Sequence, residues 1–175
     1  RQRLGWVEAP AAMAARCAEI ASFVADVAAD RLSEVYLLGM GGSSLGARAL
    51  RALRGDAAAA TRPLVVLDTT DERTIRRTTE AMAPTRALFL VASKSGSTIE
   101  VSSLERHFWA VMTRALGDEA GRHFAAITDP ETTLVALAAS RRYRHTFINP
   151  PDIGGRYSAL SLFGLNRPDS GQILL

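Results

Sequence analysis

Short apolar runs alternate with segments of helical period along most of the chain, and this rhythm limits the fold more than any other feature. Val35-Tyr36-Leu37-Leu38-Gly39, Leu64-Val65-Val66-Leu67, Ala87 to Val91, Phe124 to Ile127 and Thr146-Phe147-Ile148 each read as a short strand. They run apolar with little alternation, the pattern of parallel strands covered on both faces. Between them, Leu45 to Leu53, Thr70 to Met82 and Thr98 to Leu116 fit helices, and Asp129-Pro130 opens another, cap first and proline second. Thr70 is the expected cap of its helix, and Gly117 the stop after Leu116. Val101, Leu104, Phe108, Val111 and Ala115 fall on one face of the longest helix. Ahead of the first strand, Pro10 to about Asp30 reads as a helix, with Met13, Cys17, Ile20, Val24 and Val27 spaced four, three, four and three. Cys17, on that stripe, is expected to be a buried small hydrophobe.

Such alternation predicts a three-layer αβα domain around a five-stranded parallel sheet, flavodoxin-like or Rossmann-like. Residues 1–30 form an N-terminal helical segment, 31–165 the domain, and 166–175 a divergent or truncated tail in which Asn166 to Gly171 break the helical pattern. Gly55 to Ala60 is a low-complexity connector. Ligands of open parallel sheets bind outside the carboxyl ends of the strands. A site is therefore expected among the turns after Gly39, Asp68, Ala92 and Asn149.

The run Gly39-Met40-Gly41-Gly42-Ser43-Ser44-Leu45-Gly46 follows the first strand. Glycines let a backbone approach a ligand closely, and a helix start offers unpaired N–H groups and a positive dipole end. A tight turn without a ligand fits as well. So does an imperfect dinucleotide fingerprint. Ser44 stands where its last glycine belongs, yet Asp68 ends the second strand about twenty residues on, where a ribose-binding acid would sit.

Ser93-Lys94-Ser95-Gly96-Ser97-Thr98-Ile99-Glu100 leads from the third strand into a helix. Hydroxyls and N–H groups converging on a helix start suit a tetrahedral dianion. Lys94 adds a cation, through its side chain or only through its N–H. The same residues spell a capping box, with Ser97 as cap and Glu100 three positions on. A cap needs one hydroxyl and this run carries several, so a phosphate cradle is the favoured reading. Glu100 belongs to this loop and is not assigned as a base.

Asn149-Pro150-Pro151-Asp152-Ile153-Gly154-Gly155-Arg156-Tyr157-Ser158 follows the fifth strand. Its prolines and glycines fix a rigid loop that delivers one arginine, suited to a developing enediolate oxygen or a substrate hydroxyl. The alternative is a brace between Arg156 and a neighbouring carboxylate such as Asp152.

Composition removes several classes. The formal charge is only +3, and basic residues are scattered among acids, so nucleic-acid binding is not expected. Arg76-Arg77 and the group Arg141, Arg142 and Arg144 read as solvated surface. A single cysteine permits neither an internal disulfide nor a cysteine metal site. No run approaches the length of a membrane span, and no signal segment opens the chain, so a cytoplasmic protein without a membrane partner is expected. His107, His123 and His145 read as surface or packing residues.

The three loops resemble the signature regions of glucose-6-phosphate isomerases, in the sugar-isomerase (SIS) superfamily. Gly39 to Gly46 is similar to the family's first glycine-rich loop, and Ser93 to Glu100 to its serine/threonine phosphate loop. Asp152-Ile153-Gly154-Gly155-Arg156-Tyr157-Ser158 resembles the isomerase-specific signature. Leu4-Gly5-Trp6 and Asn149 to Leu165 look most like the isomerase part of fused transaldolase–isomerase proteins.

The resemblance implies that Ser93, Lys94, Ser95 and Thr98 hold the phosphate of a hexose 6-phosphate. Gly42 and Ser43 would line the sugar, and Gly155 and Arg156 would face the reacting carbons. It implies interconversion of glucose 6-phosphate and fructose 6-phosphate without metal or organic cofactor, and a homodimer of the full-length protein. The family's general base, a glutamate, belongs to a second SIS domain, and its ring-opening histidine and lysine also lie downstream, so this piece is expected to turn over poorly. A non-catalytic SIS regulatory module and a dinucleotide-binding domain are the alternatives.

Overall fold

A computed structural model describes residues 13–54 and 63–151. Along them run α1 (Cys17–Ala29), β1 (Glu34–Gly39), α2 (Gly42–Arg54), β2 (Leu64–Leu67), α3 (Glu72–Ala81), β3 (Ala87–Ala92), α4 (Ile99–Leu116), β4 (Phe124–Thr128), α5 (Thr133–Ser140) and β5 (His145–Ile148). Short 3-10 turns span Pro84–Arg86 and Gly117–His123. The strands are parallel throughout, in the order β2-β1-β3-β4-β5.

Successive strand residues point to opposite faces, and here both faces are covered. Tyr36, Leu38, Phe89, Val91, Phe124 and Ala126 pack with Leu104, Phe108 and Met112 of α4 and Leu134 and Ala138 of α5. Leu37, Ala92, Ile127 and Phe147 face the other way, with Met13, Ala47 and the α1 residues Ile20 and Phe23. Helices on both sides of one sheet make the predicted three-layer αβα arrangement. Phe89 sits at its centre, stacked between Tyr36 and Phe124 at centroid distances of 5.1 and 5.0 Å.

Several local expectations change. Cys17 is exposed rather than buried, and Val24 is 47% exposed. The buried line of this segment runs through Met13, Ile20, Phe23 and Val27, because the Phe23 ring meets Phe147 edge-on at 5.1 Å and sets which side of α1 faces the sheet. On α4, Met112 joins the core and Ala115 is exposed. Asp71, not Thr70, caps α3, and its carboxylate accepts the Thr74 N–H at 2.8 Å. Arg141 and Arg144 are not simply solvated. Arg141 pairs with Glu105 and lies over the Trp109 ring, while Arg144 pairs with Asp30 and donates to the Arg122 carbonyl at 2.7 Å. Leu4-Gly5-Trp6, Pro10, the Gly55–Ala60 connector and the tail from Asn166 lie outside the described residues.

At the amino end of the sheet, Glu34 accepts from the Ala83 N–H at 3.2 Å, the Tyr36 hydroxyl at 3.0 Å and Arg86 at 2.6 Å. Burial pushes its pKa up, but these donors together hold it below the ordinary value of 4.5. Burial, then the hydrogen bond to Glu34 and that carboxylate's charge, pushes the Tyr36 hydroxyl up to about 12. A carboxylate with a depressed folded pKa contributes stability above its unfolded pKa and loses it as pH falls through the folded one. Glu34→Gln is expected to flatten the acid limb of melting temperature against pH. An unchanged limb would count against this role.

Candidate functional site

The strand order places a switch point between β1 and β3. The chain leaves β1 toward β2 on one side and leaves β3 toward β4 on the other, so the two following loops diverge and open a crevice at the carboxyl edge. The first is the glycine-rich loop. A Cβ on Gly39 would stand 3.1 Å from the Ser43 Cβ and 3.4 Å from the Ala92 carbonyl, so Ser43 lies beside the end of β3. Ser43 and Ser44 are buried, and the Ser44 hydroxyl donates to the Gly41 carbonyl at 3.0 Å. Gly42 opens α2.

The second is the serine-rich loop. Ser93 is 3% exposed, and its hydroxyl meets the Thr98 hydroxyl at 3.1 Å. The Ser95 Oγ accepts from the Ser97 N–H at 3.3 Å and hydroxyl at 3.2 Å. The expected capping box does not form. Thr98, not Ser97, is the N-cap of α4, and no side chain caps the helix. The Thr98 hydroxyl lies against Ser93 instead. The first N–H groups of α4 thus stay available beside Ser93, Ser95 and Thr98, an arrangement suited to an anion. Glu100 is exposed in the first turn.

The Lys94 side chain reaches Asp129, and its ammonium also donates to the Pro151 carbonyl at 3.4 Å. Asp129 therefore does not cap α5, whose N-cap is Thr132. Nothing local in the sequence signals this pairing across 35 positions. The third loop is described only as far as Pro151; Asp152, Gly154, Gly155 and Arg156 lie outside the described residues. At its start Asn149 is buried, and its N–H donates to the Thr128 carbonyl at 2.8 Å.

Behind the serine-rich loop, α4 and α5 flank a cavity of about 280 Å³ lined by Val101, Glu105, Leu134, Leu137 and Arg141 and reaching Ser93 and Gly96. Glu105, 1% exposed, accepts from Arg141 and from the Tyr143 hydroxyl at 2.5 Å. Burial, then the Glu105 charge, drives the Tyr143 pKa far upward. The histidines stay outside the crevice. His107 meets the Thr79 hydroxyl, His123 the Ala87 carbonyl and His145 Glu19. Asp68, the would-be ribose acid, is held by Arg48 at 2.7 Å. No cluster placed to hold a metal occurs among the described residues, and no helix among them is long and apolar enough to cross a membrane.

Residues 10–168 match the phosphoglucose isomerase family. The chain belongs to that family. It is 36% identical to the glucose-6-phosphate isomerase of Campylobacter jejuni over 138 residues, which cover 77% of this chain and 32% of that protein. The Thermus thermophilus glucose-6-phosphate isomerase is 33% identical over 134 residues, with the same shares covered. Among solved structures, a hypothetical protein from Thermus thermophilus matches with a TM-score of 0.75 and 31% identity, over 94% of this chain and 39% of that one. A Chlamydia trachomatis glucose-6-phosphate isomerase shares the fold, with a TM-score of 0.69 and 24% identity over 84% of this chain and 28% of that one. The chain spans about a third of the length of the curated phosphoglucose isomerase relatives it matches.

Proposed function

We propose that this chain supplies the phosphate-holding part of a glucose-6-phosphate isomerase, which interconverts glucose 6-phosphate and fructose 6-phosphate by moving a proton between neighbouring carbons. The observation that carries this reading is the uncapped start of α4, flanked by the Ser93, Ser95 and Thr98 hydroxyls at the switch point of the sheet. Those hydroxyls and the first N–H groups of α4 take the phosphate. Gly42 and Ser43 line the sugar from across the crevice. Gly155 and Arg156 face the reacting carbons, where a guanidinium stabilises the negative oxygen of the enediolate. The general base comes from a second SIS domain and the ring-opening groups from elsewhere downstream, so full turnover requires more chain than these loops. Residues 31–165 act as the SIS unit of a homodimeric cytoplasmic enzyme that needs no metal or organic cofactor.

Titration calorimetry with fructose 6-phosphate tests the cradle. Ser95→Ala combined with Thr98→Ala is expected to abolish measurable binding while the far-UV circular dichroism spectrum stays that of the parent. Binding that survives this double change would move the phosphate site elsewhere.

A further inference from the structure

We infer that Lys94 and Asp129 are positioning residues that bolt the phosphate loop to the β4–α5 turn, and that the Lys94 ammonium is not a ligand of the bound anion. This rests on the cradle reading above. Lys94 is the only lysine in a chain with 21 Lys and Arg residues, so this position uses a compact ammonium where every other cation is a guanidinium. It lies inside the serine-rich loop, where a cation would ordinarily be counted as a phosphate ligand. Its charge is already spent. The ammonium sits against Asp129 Oδ2 and donates to the Pro151 carbonyl, with side-chain exposures of only 23% for Lys94 and 18% for Asp129.

The two residues are joined twice, because the Asp129 N–H also donates to the Lys94 carbonyl at 3.2 Å. Further contacts tie the same two segments. The Thr133 hydroxyl donates to the Gly96 carbonyl at 2.8 Å, and the Ser93 N–H donates to the Ile127 carbonyl at 3.0 Å. Gly96, at φ +68°, presses so closely on the turn that a Cβ there would stand 2.6 Å from the Thr132 Cβ. Glu131 holds a left-handed φ of +60°, a strained state that persists where surroundings over-determine it. Asp129 Oδ1 is buried and finds no partner among the described residues, so Lys94 carries the compensation of this carboxylate. Losing the ammonium would leave that charge uncompensated next to an anion site.

Two opposite outcomes separate a brace from a ligand. If Lys94 were a latent phosphate ligand held off by Asp129, removing the Asp129 charge would free the ammonium, remove a repulsive carboxylate and tighten binding. If the pair is a brace, the same change loosens the loop and weakens binding. We expect Asp129→Asn and Lys94→Met each to weaken fructose 6-phosphate binding about tenfold by calorimetry, the size of a coupling within one contact network. The double variant should be no more than about twofold weaker than the worse single one, because one interaction has been removed twice.

Lysine-selective ¹³C labelling gives a single lysine side-chain signal, and this signal is expected to stay in place when fructose 6-phosphate saturates the parent chain. Tighter binding in Asp129→Asn, losses that multiply in the double variant, or a lysine signal that shifts on saturation would each overturn the inference. The labelled parent carries the test even where a variant fails to fold. A parent that does not bind, or Ser95→Ala with Thr98→Ala binding like the parent, removes the cradle reading and this inference with it. Tighter Asp129→Asn alongside an inactive Ser95→Ala/Thr98→Ala pair removes the inference alone.

Discussion

Gly121→Ala is expected to lower the stability of the chain by about 3 kcal/mol, at the upper end of what overpacking costs. A Cβ at this position would stand 2.2 Å from the Arg141 carbonyl oxygen and 2.6 Å from that of Arg142. Both obstacles are backbone, so no rotamer change relieves the clash. The Arg144 N–H donates to the Gly121 carbonyl at 3.1 Å, which pins the two segments at this separation, and Arg142 already holds a left-handed φ of +52°. For a chain of this size the loss corresponds to a fall in melting temperature of about 6–12 °C. A thermal melt followed by circular dichroism reads it directly. A melting temperature within about 2 °C of the parent would mean that the corner yields and that sterics do not dictate glycine there.

Glu105→Ala is expected to cost about 3 kcal/mol, the lower end for breaking a buried ion pair. Its carboxylate is the acceptor for both the Arg141 guanidinium and the Tyr143 hydroxyl. Removing it strands a cation beside Trp109 and leaves the phenol without its acceptor. The lower end applies because Arg141 keeps 22% of its side chain exposed and can turn in part to solvent. Tyr143→Phe, which removes one donor, should cost only about 1 kcal/mol. The two variants measured together by denaturant unfolding check the ranking. Equal losses, or a Glu105→Ala loss below that of Tyr143→Phe, would show that the ion pair adds little here.

The strands were readable because each is an apolar run bounded by turns, and a strand buried on both faces has little choice of side chain. The helix faces were less so. Period alone placed Cys17 and Val24 on the buried stripe of α1, and it took the distant ring of Phe147 to decide that Phe23 turns inward instead. Caps failed for a similar reason. Asp71 and Thr70 are both good caps, and only the backbone decides which one meets the Thr74 N–H. Asp129 before Pro130 has the form of a cap, yet its carboxylate is claimed by Lys94 from another strand end. The site loops were legible as compositions, since glycine and hydroxyl runs at strand ends advertise themselves. The Glu105, Arg141 and Tyr143 cluster was not, because its members come from two elements and nothing in their spacing joins them.

The proposed anion cradle hangs from β3, which is flanked on both sides, with Glu34–Gly39 along one edge and Phe124–Ile127 along the other. Amides of a strand held this way exchange with solvent only through wide opening of the domain, whereas β2 and β5, each paired on one side only among the described residues, open more cheaply. The donors at the head of α4 are therefore presented in place before any ligand arrives, and little ordering entropy remains to be lost on binding. A corollary is that damage far from the crevice, at Gly121, reaches the proposed cradle only by lowering the population of folded molecules, leaving the affinity of those that remain intact.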